Sequence, residues 1–341
     1  MTRSSIGAED DHLEIARLVA QKRPLPEVYR GVQDVLRRRM PAENMYVALL
    51  EGSDGIRFPY YVDQIEPEDE FRVFAKEGLT AHVLEAPGPV WIGREPELLD
   101  RVEFIGPRPV DWIGIPLAGR DGERFGAFTV QSYEAGRGYG EGDLALLEFA
   151  ASQLALAIQL HRLDCELAIG RIAALVDETT DLDELYPRLH AIVASLIPAA
   201  ERSFVIARID EEAGQFRPVY WVDERDDWTA VDWPLDRGMA GYICRVTGES
   251  FIYEEGRTPL PPDLVRIGAP PRFWLGAPLR SGRKIIGVVF TQTYEAQRPI
   301  TRDDEATLVG VCPHLAQAIG RTEFFELNYR TPSRPAASRR A

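Results

Sequence analysis

Residues 111–135 read DWIGIPLAGRDGERFGAFTVQSYEA, and residues 273–296 read FWLGAPLRSGRKIIGVVFTQTYEA. Trp112 and Trp274 stand 162 positions apart, and the Gly-x-Pro-Leu that follows each tryptophan keeps this spacing. Upstream, YYVD at residues 60–63 corresponds to YWVD at residues 220–223. The matches keep their order over most of each half. This long period indicates two copies of a whole domain and not a solenoid of short repeats.

Each copy carries the pattern of an antiparallel sheet followed by a helix. The stretch ENMYVALLEGSDGIRFPYYVD (residues 43–63) predicts two strands joined by a Ser-Asp-Gly turn. Asp121-Gly122 in the first copy and Ser281-Gly282 in the second mark the turn of a later hairpin. The strand after Gly282 is apolar on both faces, which predicts a central position in the sheet. Helices are predicted at residues 140–158 and 301–327, with Thr301 as the N-cap of the latter.

These motifs together resemble those of a GAF domain. They are W-[IL]-G-x-P-L, the hairpin, G-x-x-x-x-Q-[ST]-Y-E, and an acidic start to a Leu/Ala-rich helix. The resemblance covers about residues 25–165 and 181–325 and is to the GAF modules that precede bacterial histidine kinases and diguanylate cyclases. It implies an α+β fold of two GAF-like domains joined by a long helix. Each domain would have a central antiparallel sheet, with helices on one face and pocket-forming loops and short helices on the other.

The expected domain organisation follows from the copies and the composition between them. Residues 1–22 are expected to form an N-terminal segment, partly disordered and then helical. The first GAF domain is placed at residues 23–165 and the second at residues 179–328, with a connecting helix at residues 142–178 that overlaps the end of the first domain. Residues 329–341, rich in Pro, Ala, Ser and Arg, are expected to be a disordered basic tail.

Composition narrows the class of protein. The net charge of −15 argues against a nucleic-acid-binding face and against binding to anionic membranes. The N-terminus lacks the apolar run of a signal peptide, and no uninterrupted apolar window reaches the length of a membrane span. A cytoplasmic location is therefore expected. The three cysteines form no CxxC pair, so neither a metal site nor a disulfide framework is expected.

The helix between the copies carries two apolar series. The first, at alternating spacings of three and four, is a heptad seam that we predict to join two chains, with His161 among its members. The seam residues proposed are Leu147, Leu154, Ile158, His161 and Cys165. The second series lies on a neighbouring face and consists of Leu146, Phe149, Leu156, Leu160, Leu163 and Leu167. One face would cover the sheet and the other would pair with a second copy, whereas a plain linker helix covering its own two domains remains the alternative.

A ligand pocket would lie between the sheet and the short helices over it. In the second copy, aromatic side chains would stack on a flat ligand, and arginine side chains would hold an anionic group. The candidates in the second copy are Trp221, Asp223, Arg237, Tyr242, Arg266 and Arg272, with Trp228 and Trp233 as further aromatic walls. Those in the first copy are Tyr61, Asp63, His82 and Arg108. Core packing and solvated charge are the alternative explanation for each.

The sequence lacks the motifs by which members of the family bind their known cofactors. Bilin-binding members of the family attach the chromophore to a Cys followed by His, and no such dipeptide occurs. A single His82 without a second ligand argues against haem, and no Asn-Lys dipeptide typical of cyclic-nucleotide-binding members is present. Methionine-sulfoxide reductases of this fold need close cysteines, and only Cys244 falls near a predicted pocket. The cofactor is therefore left unknown, and no catalytic residue is assigned.

The function expected is a non-catalytic sensory protein that binds a small molecule through one or both GAF domains. A homodimer would signal by rearranging its helices. The signal would then pass to a separate signalling protein. The alternative is a ligand-free scaffold that docks a partner signalling protein, and a small enzyme of this fold is the third hypothesis. A polar-rimmed cavity would favour the first, filled cavities the second, and a nucleophile poised beside a base the third.

Overall fold

The structure is a computed structural model, and it describes residues 3–52, 55–65, 73–102, 107–179, 181–227, 231–295 and 299–329. The chain divides into two compact units, with the boundary between Leu163 and Asp164. The fold is α+β, and each unit contains a six-stranded antiparallel sheet.

The first unit begins with two helices and ends with the first part of a long one. Its elements are α1 (Arg3–Ala20), α2 (Leu25–Arg37), β1 (Asn44–Glu51), β2 (Gly55–Val62), β3 (Val73–Ala75), α3 (Gly78–Glu85), β4 (Val90–Trp91), α4 (Leu98–Arg101), β5 (Asp111–Ala118), β6 (Arg124–Ser132) and α5 (Glu141–Glu178). The sheet order is β3-β2-β1-β6-β5-β4. The predicted strand pair at residues 43–63 is β1 and β2, and the predicted hairpin is β5 and β6.

The second unit repeats this plan. Its elements, after the last part of α5, are α6 (Leu182–Ala194), a 3-10 turn (Pro198–Glu201), β7 (Phe204–Asp210), β8 (Gln215–Val222), β9 (Trp233–Pro234), α7 (Gly238–Tyr242), a π-helical turn (Ile243–Thr247), β10 (Phe251–Glu254), β11 (Phe273–Ser281), β12 (Lys284–Thr293) and α8 (Arg302–Tyr329). The sheet order β9-β8-β7-β12-β11-β10 matches that of the first unit strand for strand. The central position predicted for the strand after Gly282 is confirmed, because β12 pairs with both β11 and β7.

Alternation along the strands divides each sheet into two apolar faces. In β1, Met45, Val47 and Leu49 face a core built with α1, α2 and α5. Tyr46 and Ala48 point to the opposite face, where they meet residues of α3 and α4. This alternation is the period of two that an extended strand imposes on its side chains. The second unit has the same two faces, with α8 on β11 and a separate core below α7.

The Trp-x-Gly of the repeat has a direct steric cause. A Cβ built on Gly114 would lie 2.3 Å from the ring of Trp112, and one on Gly276 would lie 2.1 Å from the ring of Trp274. Residues two apart in a strand share a face, so each indole lies flat across the glycine that follows it. Any side chain at either glycine would displace the indole from the face that α3 or α7 covers.

The helix α5 contributes one stripe to the core of the first unit. Leu147, Leu154 and Ile158, three of the predicted seam residues, are at most 1% exposed and belong to the core that covers the sheet. They present no surface to a second chain, so the assignment of the seam to this series is wrong. His161 and Cys165 are partly exposed. The large apolar side chains that α5 leaves exposed are Leu156, Leu160, Leu163 and Leu167 of the second series.

The apolar character of α5 also bears on membrane spanning. Among the described residues it is the one helix long and apolar enough to cross a membrane, judged by length and composition. Half of its most apolar 18-residue window is buried inside the fold. Core helices have this composition, so the observation is weak support for a membrane span.

The second unit ends in a helix whose start was predicted. The Thr301 Oγ1 accepts a hydrogen bond from the Asp304 backbone N (3.2 Å), and Asp304 Oδ2 accepts from the Thr301 backbone N (2.7 Å). This reciprocal pair satisfies two backbone donors at the start of α8 and confirms Thr301 as its cap. Asp143 makes the equivalent bond to the Gly140 backbone N at the start of α5 (2.8 Å).

Candidate functional site

The residues that carry the sequence repeat form the same hydrogen-bonded cluster in each unit. In the second unit, Gln292 Nε2 donates to Asp223 Oδ2 (2.8 Å) and to the Tyr294 hydroxyl (2.7 Å). The Tyr294 hydroxyl donates to Asp223 Oδ1 (3.0 Å). In the first unit, Gln131 and Tyr133 both donate to Asp63 Oδ2, over 2.6 and 2.9 Å. We name these clusters the Asp-Gln-Tyr triads. Each one joins the ends of two strands that are not neighbours in sequence.

The carboxylate of Asp223 is well satisfied by the protein itself. Besides the triad partners, it accepts hydrogen bonds from the Ser203 hydroxyl (2.7 Å) and from the backbone N of Arg225 and Asp226 (both 2.9 Å). Partial burial opposes ionisation, but these hydrogen bonds outweigh it and lower the pKa of Asp223 below its ordinary value. Burial and the neighbouring Asp223 charge raise the pKa of Tyr294, so its hydroxyl stays protonated and donates.

The triad in the second unit borders a cavity between the sheet and α7. Its volume is about 60 Å³. The side chains that line it are Trp221, Asp226, Trp233, Trp274, Phe290 and Gln292, together with residues 238–240, 267–269 and 271. Apolar walls with a few polar groups are typical of a small-molecule site. Four of the six named side chains are aromatic, and one carries a charge.

The aromatic walls contact one another, two pairs edge-to-face and one pair tilted. Trp221 meets Trp233 with ring centroids 6.0 Å apart at 79°, and meets Phe290 at 6.2 Å and 85°. Trp274 and Phe290 lie 5.5 Å apart at 30°. These geometries are the ones that aromatic quadrupoles favour, so the walls are positioned before any ligand enters.

Two polar side chains of the cavity are held in place by the backbone and by the triad. The backbone N of Ala269 donates to Asp226 Oδ2 (2.7 Å), and the Trp221 indole donates to the Asp226 carbonyl (2.8 Å). Gly268 has a φ of +76°, and a Cβ there would lie 2.6 Å from Asp226 Oδ2. A glycine is therefore needed for this turn to receive the carboxylate. Gln292 is fixed through its Nε2, which donates to Asp223.

In the first unit a tyrosine, Tyr46, lies on the face of the sheet that corresponds to the cavity side of the second unit. The strand register places Tyr46 opposite Thr129 in the first unit, and Val205 opposite Phe290 in the second. The Tyr46 hydroxyl lies 3.0 Å from Thr80 Oγ1, and it also hydrogen-bonds the Trp112 indole. Tyr46 is 7% exposed, and burial raises its pKa.

In the second unit, the positions that correspond to the hydrogen-bond partners of Tyr46 are occupied by different residues. Gly78 and Gly238 begin α3 and α7, so Thr80 corresponds to Ala240. The second unit therefore lacks both the tyrosine and the threonine hydroxyl that holds it. The tyrosine hydroxyl that meets Trp112 in the first unit is thus not available to Trp274 in the second. Smaller side chains therefore stand at two positions beside the aromatic cavity, Val205 in place of Tyr46 and Ala240 in place of Thr80.

The predicted site residues of the second unit fall into two groups. Trp221 lines the cavity, Asp223 lies in the triad, and Tyr242 packs edge-on against Phe251 outside the cavity lining. The three arginines do not line it. Arg237 and Arg266 are exposed, and Arg272 pairs with Glu255 over 3.2 Å. Trp233 is a wall of the cavity, and Trp228 lies outside the described residues.

The predicted site residues of the first unit do not meet in a single pocket. Tyr61 stacks on Tyr46 with centroids 5.8 Å apart, and Asp63 lies in the triad. His82 is on the exposed side of α3, whose buried side faces the core with Leu79 and Val83. Arg108 is exposed and lies 3.8 Å from Asp100. The roles predicted for these side chains in ligand binding stay predictions.

Sequence reasoning missed four of the six side chains that define the cavity. The ligand-binding candidates derived from the sequence did not include Trp274, Asp226, Phe290 or Gln292. The available signal was the repeat itself, which matches Gln292 with Gln131 and Tyr294 with Tyr133. These repeated residues lie at the end of β12, next to the cavity.

Groups with catalytic or metal-binding potential are scarce in the described part of the chain. No cluster of three His, Cys, Asp or Glu side chains is placed there to hold a metal ion. Burial raises the pKa of both the Cys244 and the Cys312 thiol to about 12. A thiol with such a pKa is not an activated nucleophile at neutral pH.

Comparisons with known proteins find one family that matches most of the first unit. The sequence model of the GAF domain family matches residues 22–159. A comparison with curated proteins finds no match. Among solved structures, the chain is similar to the GAF domain of a phosphoenolpyruvate-protein phosphotransferase from Coxiella burnetii, with 15% identity and a TM-score of 0.42, over 48% of this chain and 98% of that one.

Two further solved structures are similar at the same level. The GAF domain of the Acinetobacter phosphoenolpyruvate-protein phosphotransferase is 17% identical, with a TM-score of 0.40, over 48% of this chain and 97% of that one. The free methionine-R-sulfoxide reductase from Neisseria meningitidis, solved with its substrate, is 15% identical, with a TM-score of 0.39, over 47% of this chain and 90% of that one.

Proposed function

We propose, from the match of residues 22–159 to the GAF domain family, that the chain is a non-catalytic, cytoplasmic sensory protein whose second unit is also a GAF domain and binds a small molecule. GAF domains are generally regulatory ligand-binding modules, and they occur in bacterial sensor proteins. The identical strand order of the two sheets and the repeated Asp-Gln-Tyr triad support the assignment of the second unit.

The observation that carries the proposal is the aromatic cavity of the second unit. Its walls are rigid, and its polar side chains are fixed by hydrogen bonds that do not depend on a ligand. Preorganised walls lower the entropy that binding would otherwise cost. The first unit has Tyr46 in the corresponding space, so we assign ligand binding to the second unit and a structural role to this face of the first.

A non-catalytic role is supported by the chemistry of the side chains near the cavity. Cys244 packs beside the core cluster of the second unit, and its raised pKa keeps it a thiol. The two ionisable groups of the triad favour a stable hydrogen bond, because Asp223 is held ionised and Tyr294 is held protonated. Neither arrangement supplies the poised nucleophile and base that an enzyme of the sulfoxide-reductase kind would need.

Signal transmission is assigned to the exposed stripe of α5. Leu156, Leu160, Leu163 and Leu167 are 37–58% exposed and follow spacings of four, three and four. This is the a/d spacing of a coiled-coil seam, so we propose that it pairs with the same stripe of a second copy. In that register Glu166 occupies a g position and Arg171 the following e position. These opposite charges pair across a parallel homodimer, which supports a second copy as the occupant.

Ligand binding would act on this helix pair by stabilising one of two arrangements of the dimer. The output would pass to a separate signalling protein that recognises the favoured arrangement. A scaffold without any ligand is the alternative function, and the buried Tyr46 on the corresponding face of the first unit favours it. The two functions differ in what the second unit holds in the cell.

Native mass spectrometry of the full chain purified from its own host tests the proposal. We expect a small-molecule mass that is released on denaturation. Ala240 lines the cavity, so Ala240→Leu should fill it and remove that mass. Thr80→Val changes the corresponding position of the first unit and serves as the matched control that keeps the mass. If the wild-type chain carries no ligand, or if Ala240→Leu retains it while folded, the site is not this cavity.

A further inference from the structure

The cavity of the second unit has a charge character that restricts its ligand. The described residues that line it include one carboxylate, Asp226, and no lysine, arginine or histidine. The three arginines expected at this site are exposed or paired elsewhere. A cavity of this composition attracts a positive charge and disfavours an anion, because the negative charge is not neutralised by any cation in the lining.

The hydrogen-bonding groups of the cavity also favour a positively charged ligand, because two of them are acceptors. Gln292 uses Nε2 to donate to Asp223 and Tyr294, which fixes the amide orientation. Its Oε1 accepts no hydrogen bond within the described part of the chain. Asp226 accepts at Oδ2 from Ala269, and no described residue donates to its Oδ1. Both oxygens therefore lack a protein donor among the described residues, and such acceptors suit a ligand that donates hydrogen bonds.

One donor remains beside these two acceptors. In the first unit the Trp112 indole hydrogen-bonds the Tyr46 hydroxyl. Val205 stands in the place of that tyrosine, so the Trp274 indole N–H lacks this partner among the residues described. A ligand that satisfies the cavity supplies one acceptor oxygen to Trp274 as well as donors to Asp226 and Gln292.

The aromatic walls of the cavity also favour a cation. The faces and edges of Trp221, Trp233 and Phe290 surround the same space as the carboxylate. Tryptophan rings attract cations through their quadrupoles, and this attraction is stronger where water is excluded. Aromatic walls, a carboxylate and a fixed amide oxygen together match an organic ammonium group better than a metal ion, which would leave the aromatic surface without a partner.

We propose that the second unit binds a small organic ammonium compound that carries a hydroxyl or carbonyl oxygen. The ammonium donates to Asp226 and Gln292, and the oxygen accepts from Trp274. The inference rests on the proposed small-molecule function of this cavity. The cavity volume of about 60 Å³ limits the part of the ligand it encloses to a few non-hydrogen atoms.

Three probes of nearly the same size separate charge from shape. Ethanolamine is the cation, propan-1-ol is its neutral counterpart with a methyl in place of the ammonium, and propanoate is the anion. Binding to the full chain is measured by titration calorimetry and by ligand-observed NMR. We expect ethanolamine to bind at least about tenfold more tightly than propan-1-ol, a factor that a single cation–π or charged hydrogen bond supplies.

Two variants assign that preference to the carboxylate. Asp226→Asn keeps an acceptor for the Ala269 backbone N but removes the charge, so the preference for ethanolamine should fall to about that of propan-1-ol. Asp227→Asn removes the same charge one residue away, at an exposed position outside the cavity lining, and should leave the preference intact. Circular dichroism confirms that both variants are folded.

The outcomes separate this inference from the function on which it rests. Equal or tighter binding of propan-1-ol or propanoate, blocked by Ala240→Leu, overturns the cation preference and leaves a small-molecule site in place. An ethanolamine preference that survives in Asp226→Asn also overturns it. If no probe binds, the inference fails, and the mass spectrum of the host-purified chain decides the proposed function independently.

Discussion

The Tyr294 hydroxyl donates a hydrogen bond to Asp223 Oδ1 over 3.0 Å, and so joins the end of β12 to the end of β8. The two residues are 71 positions apart in sequence. Tyr133 makes the same bond to Asp63 in the first unit, over 2.9 Å. A contact kept in both copies at the same strand ends indicates that the triad fixes how the segment after each second strand leaves the sheet.

Removal of this bond should lower stability without changing the fold. We expect Tyr294→Phe to reduce the free energy of unfolding by about 1 kcal/mol, because a partly exposed carboxylate loses one of several donors. Urea-induced unfolding measures the change. Tyr133→Phe, the matched variant in the first unit, should have a similar effect. Unchanged stability in both variants would show that the triads contribute nothing to folding.

The depressed pKa of Asp223 predicts a dependence of stability on acid. Its pKa in the folded chain lies below the ordinary value of 3.8, so the unfolded chain binds more protons between these two values. The stabilisation by Asp223 is therefore complete above 3.8 and is lost as the pH falls through the folded pKa. The stability difference between the wild type and Asp223→Asn should be constant near neutral pH and shrink in acid. A difference that grows in acid would contradict the assignment.

The first unit pairs a large Tyr46 with a small Thr129, whereas the second pairs a small Val205 with a large Phe290. Two substitutions in the second unit should therefore compensate for each other. Val205→Tyr places a tyrosine opposite Phe290 and should destabilise the chain by about 1–3 kcal/mol through overpacking. Adding Phe290→Thr restores the pairing of the first unit, where Tyr46 lies opposite Thr129, and should recover much of the loss. A double-mutant cycle by urea unfolding measures the coupling. Additive effects would mean that the two side chains do not share one space.

The stripe on α5 predicts a difference between two kinds of leucine on one helix. Leu160→Glu or Leu163→Glu should convert the dimer to a folded monomer, measured by sedimentation equilibrium. Val309→Glu on α8, also an exposed apolar position, should leave the association state unchanged. Leu154→Asp should instead unfold the first unit, because Leu154 is fully buried. A dimer that survives both leucine substitutions would rule out this stripe as the seam.

The strands and helices could be predicted from sequence because their signals are local. Period-two alternation, the Asp121-Gly122 turn and the Thr301 cap each lie within a few residues of the element they define. The two apolar series of α5 were also visible. Which of them covers the sheet was assigned wrongly, because the rotation of a helix about its own axis is set by packing and not by its heptad pattern.

The cavity could not be predicted because it depends on strand register. Val205 and Ala240 replace Tyr46 and Thr80, and this substitution has meaning only once β7 is aligned with β1 and α7 with α3. The arginines that the sequence suggested as ligand groups lie in loops whose direction the local sequence does not encode. Gln292 is oriented by its hydrogen bond to Asp223, which is 69 positions away in sequence.

The distribution of indole rings gives the chain an optical asymmetry. Of the five tryptophans the structure describes, Trp221, Trp233 and Trp274 line the cavity, whereas Trp91 and Trp112 are buried in the first unit. A molecule entering the cavity changes the surroundings of the first three and leaves the other two as a constant background. The emission of the unlabelled protein therefore reports occupancy of one unit against an internal reference supplied by the other.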